Sequence, residues 1–220
     1  SLVNVLPVLI VFLVVVGGIY LGLFTPTEGA AVGAAGTGVI ALFNGGLRGR
    51  AWLDSFYATA KSTAMIFFIV LGAAVYNGFL ALTQVPQELA AWVAESGFNP
   101  WMVLVMILLL YLVFGCVMDS LSMILLTIPI FFPIVSSLDY GLSAEEFAIW
   151  FGIIVLIVVE VGLITPPVGM NLFVINSMDR ETPIVQTYKA VIYFVTSDLL
   201  RVALLVVFPS ISLVLLRILN

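Results

Sequence analysis

The 220 residues contain no histidine and a single cysteine, and only 9% of them are charged. Without histidine the chain lacks the commonest general base and metal ligand. The lone Cys116 excludes an intrachain disulfide and a cysteine cluster for zinc, and its apolar setting reads as packing. No Walker-type phosphate loop and no Ser/His pair is present, so ATP-driven transport within the chain and hydrolysis both lack support. Seven Lys and Arg against twelve Asp and Glu give no basic surface for nucleic acid. The shortage of charge decides the class. A soluble domain carries about 25% charged residues, and 9% cannot cover a water-exposed surface.

What is there is apolar: 63% of the chain. A spanning helix takes roughly 20 such residues, so the chain is expected to be an all-α, multi-pass membrane protein. Residues 1–85 read as spanning helices interrupted at TPTE, with a first apolar run from Val5 to Phe24. That run lacks a basic leader and is too long for a signal peptide. The chain begins at Ser1, without a Met, as expected for a piece of a longer polypeptide. The Gly- and Ala-rich run Gly29–Phe43 suits close helix packing. Helical pattern resumes near Asp54. Pro86 to Pro100 reads as a short amphipathic helix at the membrane surface. The oiliest stretch, 101–135, is interrupted once, at Asp119-Ser120. Then follow 147–177, broken by TPPVG, a polar stretch at 179–189, and a last spanning run at 199–219. Trp52, Trp92, Trp101 and Trp150 read as interfacial belt anchors.

Basic residues orient this map. Arg48, Arg50 and Lys61 mark one cytoplasmic connection, and Arg180 and Lys189 a second. The connections 86–100 and 136–146 carry Glu88, Glu95, Asp139, Glu145 and Glu146 and no basic residue, which places both outside. The run between them must then enter and return. It reads as a re-entrant hairpin with Asp119-Ser120 at its tip.

Two near-identical stretches interrupt apolar runs: GLFTPTEG at 22–29 and GLITPPVG at 162–169. Proline lacks an N–H, so Pro26, Pro166 and Pro167 are expected to free the carbonyls of Gly22, Gly162 and Leu163. Thr25, Thr27 and Thr165 add hydroxyl oxygens. Such turns offer the oxygen ligands a desolvated sodium ion uses, and interrupted helices at mid-membrane point to transporter sites. The plainer alternative is a kink whose freed carbonyls a neighbouring helix satisfies. Three carboxylates, Glu28, Asp119 and Glu160, lie in or beside apolar runs, where charge is expensive. Asp119 can orient the tip with Ser120 and Ser122, or neutralise a cation. Glu28 follows Pro26 in a first helical turn, where an anion is favoured, and reads as a cap or a ligand. Glu160 reads as buried, protonated or paired. Asn171 can bond across the break or pack between helices.

GIYLGLFTPTEGAAVGA, FGCVMDSLSMILLTIPIFFPIV and GLITPPVGMNLFVI, in this order, resemble the large membrane subunit of the tripartite ATP-independent periplasmic (TRAP) transporters. The resemblance covers the C-terminal half of that subunit. It implies sodium-coupled secondary uptake of an organic acid, such as a C4-dicarboxylate or a sialic acid. The membrane would be the cytoplasmic membrane of a bacterium or archaeon. The partners implied are a small membrane subunit and a periplasmic substrate-binding protein, and no cofactor beyond the coupling sodium. The fold implied is an elevator-type transporter repeat, with 101–135 as a re-entrant hairpin and 147–177 as a discontinuous helix. The matching positions Gly115, Asp119, Ser120, Thr165, Pro166 and Gly169 would bind the ion. Thr25, Thr27, Glu28, Ser122 and Asn171 would lie at the substrate cleft or behind it. A proton-coupled anion permease and a non-transporting scaffold are the alternatives. No reading makes the chain an enzyme.

Overall fold

The computed structural model describes residues 2–178 and 183–219, and every regular element among them is an α-helix. In chain order they are α1 (Leu2–Tyr20), α2 (Pro26–Phe43), α3 (Arg50–Thr83), α4 (Val85–Glu95), α5 (Pro100–Gly115), α6 (Ser120–Ser136), α7 (Ala144–Ile164), α8 (Met170–Met178), α9 (Ile184–Val207) and α10 (Pro209–Leu219). Among the described residues, α3, α7 and α9 are long and apolar enough to cross a membrane. The helical membrane character read from composition therefore holds. α5 and α6 are apolar but have 16 and 17 residues. At 1.5 Å per residue each reaches about 25 Å, short of the ~30 Å hydrocarbon core. The chain divides into two compact units, residues 1–66 and 67–220, with the boundary inside α3.

In the first unit, α1 stops at Tyr20 rather than running on to Phe24. Leu23 N–H bonds back to Gly18 O (2.9 Å) and Gly22 N–H to Ile19 O (3.0 Å), with Gly22 at φ 69°. This is a Schellman termination, and it needs a residue free to take a positive φ. The Phe24 ring then lies over Gly18, where a Cβ would overlap it. The Gly- and Ala-rich composition of α2 has a matching cause. Gly29, Gly33 and Gly36 face Ile19, Val15 and Val11 of α1, and Cβ atoms there would come within 2.9, 3.3 and 3.0 Å of those side chains. α2 is thus a glycine groove for α1.

In the second unit, α4 lays Pro86, Ala90 and Val93 inward against α6. Gln84, at φ 54°, turns the chain sharply from α3 into α4. α5 and α6 fold back on each other: the Tyr111 and Thr127 hydroxyls are 3.0 Å apart, and Tyr111 meets Phe131 edge-on at 5.4 Å. Further out, Tyr140 donates to Pro100 O at 3.0 Å. Burial pushes the Tyr140 phenol up to about 12, so it remains a donor. α7 is central and packs on α5, α6, α8, α9 and α10.

Several sequence expectations change here. α3 begins at Arg50, not near Asp54, and runs unbroken to Thr83. The run expected at 199–219 is split at Phe208, because α9 starts earlier and Pro209 begins a new helix. Pro209 has no N–H for Leu205 O, four residues back. The Trp150 indole N–H takes that carbonyl instead, at 2.8 Å. Trp150 is fully buried, so it is a core residue and not a belt anchor. Arg217 of α10 holds Glu146 at the start of α7 (2.7 Å). Arg180, used above for orientation, lies outside the described residues.

Candidate functional site

The tip between α5 and α6 is residues 116–119. Its form follows from local bonds. Val117 and Met118 N–H groups turn back to Phe114 O (3.0 and 2.8 Å), and Asp119 then caps α6 by accepting the Ser122 N–H at 3.0 Å. An extended Asp at this position satisfies one of the donors a helix start leaves free. Only one Asp119 oxygen is used, and the other has no hydrogen bond among the described residues. Ser120 opens α6, half-buried, with Ser122 two residues on in the same first turn.

The interruption between α7 and α8 is residues 165–169. Thr165 caps α7. Its N–H reaches Gly162 O (3.0 Å) and its hydroxyl donates to Val161 O (2.6 Å). The Gly162 carbonyl expected to be freed by Pro166 is therefore occupied, because the chain turns early enough for Thr165 to reach it. The Thr165 oxygen, donating once, keeps its acceptor lone pairs. The Pro166–Pro167 bond is cis. Gly169 restarts the helix at φ 61°, with Leu172 N–H on its carbonyl at 2.8 Å. A Cβ there would meet Leu172 at 3.0 Å and Thr165 O at 3.2 Å, so glycine is required twice over.

The carbonyls of Pro167 and Val168 take their partner from outside the break. Tyr188 of α9 reaches them, its hydroxyl 3.0 and 3.1 Å from the two oxygens. The preceding residue, Thr187, donates to Asn176 of α8 at 3.3 Å. Asn171, considered for bonding across the break, is exposed and makes no such bond among the described residues.

Gly115 and Gly162 bring tip and break to one place. A Cβ on Gly162 would stand 2.7 Å from Gly115 Cα and 3.0 Å from Leu112 O, and one on Gly115 would stand 3.0 Å from Gly162 Cα. The backbones of α5 and α7 touch there. The tip starts at the next residue after Gly115, and the break three residues after Gly162. No hydrogen bond joins the two segments among the described residues.

In the first unit, Thr25 and Glu28 form a capping box. Glu28 N–H donates to the Thr25 hydroxyl oxygen (3.3 Å), while Thr25 N–H and hydroxyl both donate to Glu28 Oε2 (2.8 and 2.9 Å). Pro26 is the first helical residue of α2, where its missing N–H costs nothing. It therefore frees no carbonyl of α1, which has already ended at Tyr20. Glu28 takes the cap role. Thr27 is exposed. Glu160, read as buried, is exposed on α7.

The sequence profile described as "Tripartite ATP-independent periplasmic transporter, DctM component" matches residues 1–211. The chain belongs to this family.

Its DctM-family relatives are named as permeases, not enzymes. The C4-dicarboxylate TRAP transporter large permease protein DctM of Pseudomonas aeruginosa is 36% identical, over 94% of this chain and 47% of its own length. The sialic acid TRAP transporter large permease protein SiaM of Vibrio cholerae is 30% identical, over 92% of this chain and 46% of its own. The isethionate TRAP transporter permease protein DctMQ of Oleidesulfovibrio alaskensis is 33% identical, over 77% of this chain and 26% of its own. The chain spans about half the length of the large permeases it matches. Within this DctM-family chain, sequence reasoning missed Tyr188. It lies in a polar connection with no motif around it, and only the fold brings it to the break.

Proposed function

We propose that the chain is one repeat of a sodium-coupled secondary transporter that takes up an organic acid. One observation carries the reading: the tip 116–119 and the break 165–169 leave from a single crossing of α5 and α7, at Gly115 and Gly162. Irregular backbone at membrane depth is tolerated where it is buried in protein or lines a polar cavity. In this reading α5, tip and α6 form a re-entrant hairpin of an elevator-type repeat. Asp119 supplies charge, and Ser120, Thr165 and the local carbonyls supply neutral oxygens for the ion, held by the glycines at 115 and 169 and by Pro166. Ser122 and Asn171 would stand behind that set. α6 and α8 both begin at these segments, so the first-turn N–H groups that Asp119 and Gly169 do not take are available to a carboxylate or sulfonate. The names of the relatives, for C4-dicarboxylate, sialic acid and isethionate, support an anionic organic substrate. A periplasmic binding protein would deliver it, and a small membrane subunit would complete the complex, in the cytoplasmic membrane of a bacterium or archaeon.

The test uses the full-length parent with both partners, reconstituted in vesicles. Asp119→Ala and Thr165→Ala should each abolish sodium-dependent uptake while the protein still inserts. Full uptake in both variants would remove the site assignment. Uptake driven by a pH gradient without sodium would replace sodium coupling by proton coupling.

A further inference from the structure

α7 carries a stripe that the rest of the second unit leaves open. Ala148, Gly152, Leu156 and Glu160 are all exposed and recur every four residues, so they stand above one another on one helix face. The remaining circumference is core, with Trp150, Phe151, Ile154, Val155, Val158 and Val159 buried. Glu160 has no hydrogen bond or ion pair among the described residues. It sits in a helix long and apolar enough to span a membrane, about a turn and a half before Thr165.

Each part of the stripe points to a helix rather than to lipid. A carboxylate within a spanning segment faces protein or water, not hydrocarbon, because its desolvation is otherwise unmatched. Ala148 and Gly152 form a small-xxx-small pair that admits a second backbone at close range. A second copy of the chain fits poorly. Two copies related by an axis along the membrane normal would set both Glu160 carboxylates at the same depth, facing each other. A cationic partner fits the charge. Chain to supply it is available, since this one covers 47% of the length of the P. aeruginosa relative.

We propose that this face of α7 is the docking seam for a helix from the half of the large permease that the chain does not cover. That helix brings a Lys or Arg opposite Glu160. Because the stripe runs to within about a turn and a half of Thr165, the docked helix also walls the break. The seam does not depend on which ion drives transport.

A photo-crosslinking residue, p-benzoyl-phenylalanine, in place of Leu156 tests this in the full-length parent, assembled with its partners in native membranes. Mass spectrometry of the digest should place the crosslinks on one helix of the uncovered half, with a Lys or Arg within a turn of the attachment point. Crosslinks to lipid alone, to a second copy, to a partner subunit, or within the 220 residues would each overturn the proposal. A charge swap supplies the second reading. Glu160→Lys should cut the yield of folded, detergent-extracted protein roughly tenfold or more, as expected when one partner of a buried ion pair is removed. Reversing the identified base to Glu should restore it. Wild-type yield from Glu160→Lys, or a reversal that restores nothing, counts against the pair. Glu160→Gln, which keeps shape without charge, should fall between.

Discussion

At the break in the second unit, two carbonyls are held by a hydroxyl from α9: Tyr188 stands 3.0 Å from Pro167 O and 3.1 Å from Val168 O. Tyr188→Phe keeps the ring and removes that donor. Leaving a sheltered acceptor unmatched costs about 1 kcal/mol or somewhat more. The expected outcome is a lower thermal midpoint of the full-length protein in detergent, with insertion unchanged; an unshifted midpoint would show that water replaces the hydroxyl freely. Residues of this kind also mark the limit of reading by sequence. The caps at Thr25–Glu28, Asp119–Ser122 and Ser143–Glu146 join partners three residues apart, so they are visible as short patterns. Tyr188 and Pro167 are 21 residues apart, and Trp150 and Leu205 are 55 apart. Nothing local announces those bonds, and Trp150 was accordingly placed at an interface when it belongs to the core. Glu160 failed differently. Its apolar neighbours promised burial, but they face the other sides of α7.

The helices themselves were easier to read than their meetings. Two turn signals, Asp119-Ser120 and TPPVG, fall where the structure has its tip and its break. Charge along the chain separated the 101–135 run from its flanks. The crossing of α5 and α7 was not legible, because Gly115 and Gly162 look like ordinary members of their apolar runs. It is nevertheless tightly constrained. A Cβ on Gly162 meets backbone atoms of Gly115 at 2.7 and 2.9 Å, and backbone cannot step aside as a side chain can. Gly162→Ala should therefore destabilise by about 3 kcal/mol, the upper part of the usual overpacking range. Gly152→Ala, on the same helix with open space at its Cβ, is the control. Thermal midpoints of the two variants in detergent should separate clearly, and equal midpoints would mean that α5 and α7 shift apart at little cost. The split of α9 from α10 lies at the same scale. The apolar run hid it, since Pro209 is as oily as its neighbours and announces itself only through the carbonyl it leaves for Trp150.

For the molecule as a whole, composition alone settled the class. With 9% charge and 63% apolar residues, no arrangement of this chain covers itself in water, and the three helices among the described residues that are long and apolar enough to span a membrane agree. What composition could not supply is which apolar faces meet lipid and which meet the rest of the permease, because both are oily. The close backbone contact between Gly115 and Gly162 bears on movement at this scale. Neither position offers a side chain that could slide or rotate to let the other pass. Nitroxide labels at Val117 and Met170, in a cysteine-free background of the full-length protein that includes Cys116→Ala, should keep one narrow distance distribution with sodium, without it, and with substrate present. A second distance population would mean that the two segments part. If they do not, gating by a tip that swings free of the break is closed to the transporter proposed above, and any opening for its substrate would lie elsewhere while these two segments travel together as one rigid jaw.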